Sequence, residues 1–420
     1  MKSSKSLLII LLAVGLTMPL AGQTSDENTF SLEKCLETAV QNNPLILSSL
    51  QQHAAARARI RQALAFAQPS LEYDSDLQPK FFNFQDTAET YVGFSQSLEF
   101  PGKRFLRGKI ASREADEVMA EIDLLILDVA FQVKEAFYNL LLAQEKHIYA
   151  SQNLELSQDF LQKTNLKHEA GDVARVEVLR ARVEAATAAN EVRAAKNEIN
   201  LGKARLNFLL ARRKFAPIEI SGDLKRAAIP LDLEKLKQKA LSFRPEVKKA
   251  EVSLKRESLQ KTQAWMNYLP DLDLSVSKHW IDGEGSFWDA TLSVPIPLFF
   301  WQPARGEIAE AQANIQSLMK EAEHIKNSVS LEVEEAFTSA LSAHNQIQLF
   351  EEEILTQAEE VYNMFLFSYQ EGEIGGIELI DARRTMMEAR KSYADALFNY
   401  DVALAALEKS IGHKLEGDEQ

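Results

Sequence analysis

The longest regular signal in the chain is a three-four alternation of apolar residues. After Pro101-Gly102, residues Ile122, Ile126, Val129, Val133, Ala136, Leu140 and Ala143 recur at spacings of four and three. That is the seam of a coiled-coil helix. Leu124, Leu127, Phe131, Tyr138, Leu141 and Ile148 form a second seam on the same helix. A two-stranded coil needs one seam, so two seams predict a helix packed on both flanks, in a sheet or ring of helices. The pattern runs from about residue 103 to 166, roughly 60 residues, or about 90–100 Å of helix at 1.5 Å per residue. Ile308, Ala311, Ile315, Leu318, Ala322, Ile325 and Val329 keep the same rhythm further on. It resets by four at Val333, then continues through Ala336, Ala340 and Ile347. Such a stutter locally changes the supercoil.

A period of two replaces the helical rhythm in four short stretches. Leu71 to Leu77, Val92 to Phe100, Leu272 to Trp280 and Phe287 to Ile296 read as strands. Val92, Phe94, Gln96, Leu98 and Phe100 share one face; Trp288, Ala290, Leu292, Val294 and Ile296 do the same, with Asp289, Thr291 and Ser293 opposite. Strands of about 9–11 residues with this alternation suit a membrane barrel. Phe81, Phe82, Phe84, Trp280, Phe287, Phe299, Phe300 and Trp301 crowd the strand ends, as in an interfacial aromatic girdle. The competing reading is a soluble sheet with an aromatic core. Four strands cannot close a barrel, and an open edge is not tolerated in lipid. Membrane spanning therefore requires oligomerisation, and three copies would give twelve strands.

The whole arrangement is written twice. Leu32-Glu33-Lys34 matches Leu233-Glu234-Lys235, Pro44 matches Pro245, and Pro69-Ser70-Leu71 matches Pro270-Asp271-Leu272. Glu135-Ala136-Phe137 matches Glu335-Ala336-Phe337, and Gly171 matches Gly372. The offset is 201 at both ends and slightly smaller in the middle. The period is too long for a solenoid, so each half is expected to be one large unit. The first repeat spans 23–225, with a helix, strands at about 69–100 and long helices at about 103–210. The second spans 226–420, with a helix, strands at about 271–297 and long helices at about 303–412. The fold class is α+β, dominated by long helices.

Composition supports long helices, with only 16 glycines and 12 prolines in 420 residues to interrupt them. A net charge of −14 would repel nucleic acid, so none is expected as a partner. The single cysteine, Cys35, excludes an internal disulfide framework and a cysteine zinc cluster. Lys2 and Lys5, the apolar run Leu7 to Leu16, and Ala21-Gly22 have the order of a secretory signal peptide over residues 1–22. The apolar run is shorter than the ~20 residues of a spanning helix. No two of the seven histidines stand at i, i+3 or i, i+4, so no helix-borne metal pair is expected. Pro101-Gly102-Lys103-Arg104 lacks the earlier glycine and the following Ser or Thr of a phosphate loop. No cofactor and no catalytic set are expected, and the chain is not read as an enzyme.

Tyr369-Gln370-Glu371-Gly372-Glu373-Ile374, Glu378-Leu379-Ile380-Asp381-Ala382-Arg383 and Tyr393 through Gly412, echoed from Gly171 to Arg182, resemble the TolC-like outer-membrane efflux family. Leu98-Glu99-Phe100-Pro101-Gly102-Lys103-Arg104 looks like the barrel-to-helix junction of its heavy-metal-efflux, CzcC-like subgroup. Many members of that subgroup are lipidated near the N-terminus, and the cysteine for it is missing here. The resemblance implies a homotrimer with a twelve-strand barrel in outer-membrane lipid and a twelve-helix periplasmic tunnel. It would dock on a periplasmic adaptor (membrane fusion protein) bound to an inner-membrane pump such as an RND transporter. Gly171 and Gly372 would mark the adaptor-docking helix tips. Glu378 and Asp381, three apart on one helix face, match the acidic pair of the periplasmic constriction. Stacked in a trimer they would attract cations and repel anions; as isolated helix carboxylates they would simply be solvated. Arg180, the counterpart of Asp381 in the first repeat, is a latch candidate that would pair with a carboxylate across the tip. Alternatives are the outer-membrane component of type I protein secretion and a soluble periplasmic coiled-coil scaffold. Selectivity in such machines resides mainly in the pump, and the junction slightly favours metal cations as cargo.

Overall fold

The computed structural model describes residues 29–76, 89–213, 216–224, 232–295 and 303–415. The signal segment 1–22, the repeat boundary near 225, and Phe81, Phe82, Phe84, Phe299, Phe300 and Trp301 lie outside them. A short strand, β1 (Thr29–Phe30), opens the described chain. The first repeat then runs α1 (Leu32–Asn42), α2 (Pro44–Ala63), β2 (Ser70–Asp76), β3 (Glu89–Leu98), α3 (Lys103–Glu169) and α4 (Arg175–Leu209). After β4 (Glu219–Ile220), which pairs in parallel with β1, the second repeats it. Its elements are α5 (Leu233–Phe243), α6 (Pro245–Met266), β5 (Leu272–Ile281), β6 (Gly285–Ser293), α7 (Pro303–Leu349), α8 (Leu355–Glu371) and α9 (Gly376–Ile411). Pro44 and Pro245 each open a helix, the position where proline's missing N–H costs no intrahelical bond.

The 67 residues of α3 make a rod of about 100 Å. Its first seam is the buried one: Ile122, Val129, Val133, Ala136 and Leu140 are each at most 3% exposed. Val129, Val133, Ala136 and Leu140 join Phe30, Cys35, Leu206, Leu210 and Ile218 in the core of the first repeat. Leu236, Val247, Val329, Val333, Leu407 and Ile411 build the matching core of the second. The second seam of α3 is less covered: Leu141 is buried, Leu124, Leu127, Phe131 and Tyr138 are half-buried, and Ile148 is exposed. Burial pushes the Cys35 thiol up to about 12, which makes it a neutral apolar filler. We expect Cys35 to resist maleimide in the folded protein and to label fully only after denaturation; rapid labelling under native conditions would mean this core is open.

The reset at Val333 leaves α7 unbroken. The irregularity lies further on, in a π-helical turn at Phe350–Ile354 between α7 and α8. It has a simple origin. Lys103 and Pro303 open the two long helices 200 residues apart, whereas Gly171 and Gly372 follow their ends 201 apart. A π turn closes its hydrogen bonds one residue further along than an α turn. It absorbs the extra residue and keeps the two ends in register.

The four longer strands form one antiparallel sheet in the order β2-β3-β5-β6. Its central pair, β3 and β5, joins the two repeats over ten residue pairs, from Glu89↔Ile281 to Leu98↔Leu272. The strands fall within a few residues of the expected ones. Register sorts their side chains into an apolar face, which also carries Lys278 over Trp280 and Trp288, and a polar face, which also carries Tyr91, Ile281 and Phe287. Leu71, Tyr73, Val92, Phe94, Leu98, Leu272, Leu274, Val276, Trp280, Trp288 and Leu292 share one face and are all at least 36% exposed. Glu72, Asp74, Ser95, Asp273, Ser275, Ser277, His279, Asp289 and Thr291 fall on the other. The corner into α3 is pinned by Asp271: its Oδ1 accepts from the Phe100 N–H at 2.7 Å and from Lys103 Nζ at 2.9 Å. That contact ties the first repeat's glycine corner to the second repeat's strand. Among the described residues, no helix is long and apolar enough to cross a membrane.

Candidate functional site

The long helices carry the chain away from the sheet and turn at two glycines. At the first tip the Asp172 N–H reaches the Lys167 carbonyl and the Gly171 N–H that of His168. At the second, the Glu373 N–H reaches Ser368 and the Gly372 N–H reaches Tyr369. Both are Schellman turns, which need a left-handed residue. Gly171 has φ +88° and Gly372 φ +81°. A Cβ at either would meet nothing within 4 Å, so glycine is required for its backbone angle and not for space.

The helices that leave the turns, α4 and α9, start without a side-chain cap. Each carries a glutamate in its first turn, Glu177 and Glu378, where negative charge complements the helix dipole. Glu378 Oε2 lies 3.0 Å from the position a Cβ on Gly375 would take, so this carboxylate folds back over its own helix start. Glu177 does something different. Its Oε2 stands 3.0 Å from the Cβ position of Gly376, at the start of the other repeat's helix. That oxygen is buried without a hydrogen-bond partner, while Oε1 accepts from Arg180 Nη1 at 3.2 Å. Sequence reasoning passed over Glu177, although the repeat offset marks it: 177 + 201 = 378.

Arg180 is therefore not paired across the tip in the protomer. The i, i+3 spacing offers it Glu177 on its own helix. It does face Asp381, across a cleft of about 460 Å³ between α4 and α9 that Val176, Leu179, Val183 and Ile377 also line. Glu378 is not among the lining residues, so the two expected gate carboxylates are both exposed but serve different surroundings. The four apolar residues are each roughly half exposed, and such a patch marks an interaction surface. Deeper in, Glu184 accepts from Arg384 at 2.9 Å and faces Arg383 at 3.6 Å. Arg383 is 5% exposed, and burial works against its charge while Glu184 supports it. It lies on the buried side of α9 and was not expected to join the tips together.

The signature of the family described as outer membrane efflux protein matches residues 35–212 and again 236–413, once per repeat. The cobalt-zinc-cadmium resistance protein CzcC of Cupriavidus metallidurans is 24% identical over 391 residues, covering 91% of this chain and 90% of that one. Nodulation protein T of Rhizobium leguminosarum bv. trifolii is 20% identical over 400 residues, with 91% and 85% covered. Among solved structures, the open-state MtrE outer membrane channel of Neisseria gonorrhoeae superposes with a TM-score of 0.76 at 18% identity, over 93% of this chain and 90% of that one. The transmembrane channel CusC gives 0.75 at 17%, over 91% and 92%. With a doubled family signature over most of its length and the fold of these channels, the chain belongs to the outer membrane efflux protein family.

Proposed function

We propose that three copies of this chain assemble into the exit duct of a tripartite efflux system whose cargo is divalent transition-metal cations. The observation that carries the reading is the two-faced, open-edged sheet. Its apolar face suits lipid, and its other face bears Glu72, Asp74, Glu89, Asp273 and Asp289. Among the described residues, edges β2 and β6 have no further partner strand, and a neighbouring copy on each would close a twelve-strand barrel with no edge left in lipid. An acidic lumen concentrates cations and disfavours anions. Similarity to a cobalt-zinc-cadmium resistance protein supports the same cargo. Residues 1–22 direct export, and the two repeats, 23–225 and 226–420, supply equivalent halves of each protomer.

In this reading the tips at Gly171 and Gly372 meet a periplasmic adaptor bound to an inner-membrane pump such as an RND transporter. Glu378, Asp381 and Arg180 form the gate. The duct itself supplies no energy and needs no catalytic group. Deleting the gene is expected to sensitise its host to cobalt, zinc or cadmium, with resistance restored by the full chain. Sensitivity to apolar drugs alone would remove metal ions as the cargo. The latch has its own test. If Arg180 meets Asp381 of a neighbouring copy when the gate closes, R180D and D381R should each leak, and the double exchange should restore closure. A double mutant as leaky as the singles rules the pairing out.

A further inference from the structure

Immediately before the two glycine turns, α3 of the first repeat and α8 and α9 of the second enclose a cavity of about 310 Å³. Its apolar lining is drawn from the buried cluster of Phe160, Tyr369, Leu379 and Ile380. The Phe160 and Tyr369 rings lie 5.5 Å apart between centroids. The cleft that holds Arg180 and Asp381 shares only Ile380 with it.

The charged groups on this lining are mostly cationic, in a chain of net charge −14. Lys163 pairs with Asp159 at 2.7 Å, which leaves Lys167 and Arg383. Lys167 Nζ donates to the Tyr369 carbonyl at 3.2 Å and stands 4.3 Å from the centroid of the same ring. Arg383 is only 5% exposed, and among the described residues its guanidinium makes no hydrogen bond. Its acidic neighbour, Glu184, stands 3.6 Å away, beyond hydrogen-bond reach, and is held closer by Arg384 at 2.9 Å. A guanidinium carries five donors, and leaving them unmet in a buried place costs free energy. Tyr362 lines the same space. Burial raises its phenol, against the pull of the Arg383 charge, so it stands beside the guanidinium as a neutral O–H donor.

We propose that this cavity binds an amphipathic organic carboxylate, with the head on Arg383, Tyr362 and Lys167 and the apolar body against Phe160, Leu366 and Tyr369. A carboxylate matches the fork of a guanidinium with two parallel hydrogen bonds. The volume is at the lower end of the range for small-molecule sites, about 300–1,000 Å³, which suits a body of two fused rings or a medium acyl chain. The site is complete within one protomer, so it goes beyond the duct reading and does not depend on the cargo. Glu184 and the ligand compete for one guanidinium, so occupancy weakens the contact that Arg383 makes with α4.

The test titrates sodium naphthoate into the full-length protein in dodecyl maltoside, by calorimetry, with empty micelles as the blank. Naphthoate should bind saturably at one site per chain. Naphthylmethanol, of the same shape without the charge, should bind at least tenfold more weakly, and acetate, without the apolar body, should not bind. R383Q should weaken naphthoate at least tenfold, as loss of a charge-assisted bond does, and Y362F and K167Q each about threefold. E184Q removes the competing acid and should tighten binding, a change of sign that a merely structural role for Arg383 does not produce. K320Q, at an exposed lysine of α7, should bind as the parent does. If R383Q does not fold, Y362F, K167Q and E184Q decide the matter. No saturable binding, or binding unchanged in these variants, overturns the site. Naphthylmethanol binding as tightly as naphthoate also overturns it, and makes the cavity a seat for an uncharged side chain of a partner helix.

Discussion

A V276K substitution is expected to abolish assembly in the outer membrane, whereas S275K, one residue earlier, is expected to assemble normally. Val276 sits mid-strand on the apolar face, cross-strand from Phe94 and Ala290. Ser275 has the opposite orientation and pairs with Ser95 and Thr291. A lysine facing lipid near the bilayer midplane costs about 2–4 kcal/mol per copy. Three copies of a proposed barrel would bear it together, a total of the order of a whole domain's net stability. The lysine at 275 would face water and cancel part of the acidic lumen, so the same variant should also pass fewer cations. Heat-modifiable oligomer on gels of outer-membrane fractions reads the first effect, and bilayer conductance the second. If both variants assemble equally well, the apolar face does not meet lipid and the sheet is an ordinary soluble one.

The second large effect is at the other end of the duct. Replacing Glu378 and Asp381 together by lysine is expected to lower cation conductance at least tenfold and to abolish metal resistance, with the oligomer intact. In a trimer this change would turn six negative charges into six positive ones at the proposed gate, and like charges there exclude the cargo. Single substitutions should be unequal. Asp381 lines the cleft beside Arg180, whereas Glu378 folds over Gly375. D381N should therefore alter gating more than E378Q, which acts mainly on the helix start. Conductance of the double lysine variant equal to the parent's would remove both residues from the gate.

Much of the architecture was readable from pattern because each pattern had a single physical solution. A strict three-four seam forces a helix, and the buried Val129, Val133, Ala136 and Leu140 are the residues the seam named. Alternation forces faces on a strand, and Val92, Phe94 and Leu98 lie together as expected. Gly171 and Gly372 were legible because a left-handed turn after a long helix has few other occupants. The π turn was half legible: the change in repeat offset signalled an inserted residue, but only the backbone shows that Phe350–Ile354 absorbs it.

The tips were less legible, because their contacts join residues about 200 positions apart. Nothing in the local sequence tells that Glu177 reaches Gly376, or that Arg383 is buried facing Glu184. The cross-tip role expected for Arg180 had the same weakness, since a carboxylate three residues away on its own helix was available. His279 has no second histidine at helical spacing, and Tyr91 stacks on it from the adjacent strand. Its partners come from adjacent strands through register, which sequence spacing does not reveal.

The account turns on whether these open-edged sheets close by threefold association in a membrane. The most direct measurement is the oligomeric mass of the full-length protein extracted from outer membranes in detergent, by light scattering with the detergent contribution subtracted. The account predicts three times the mass of the mature chain. A monomer or dimer, recovered in the soluble fraction without detergent, would contradict it.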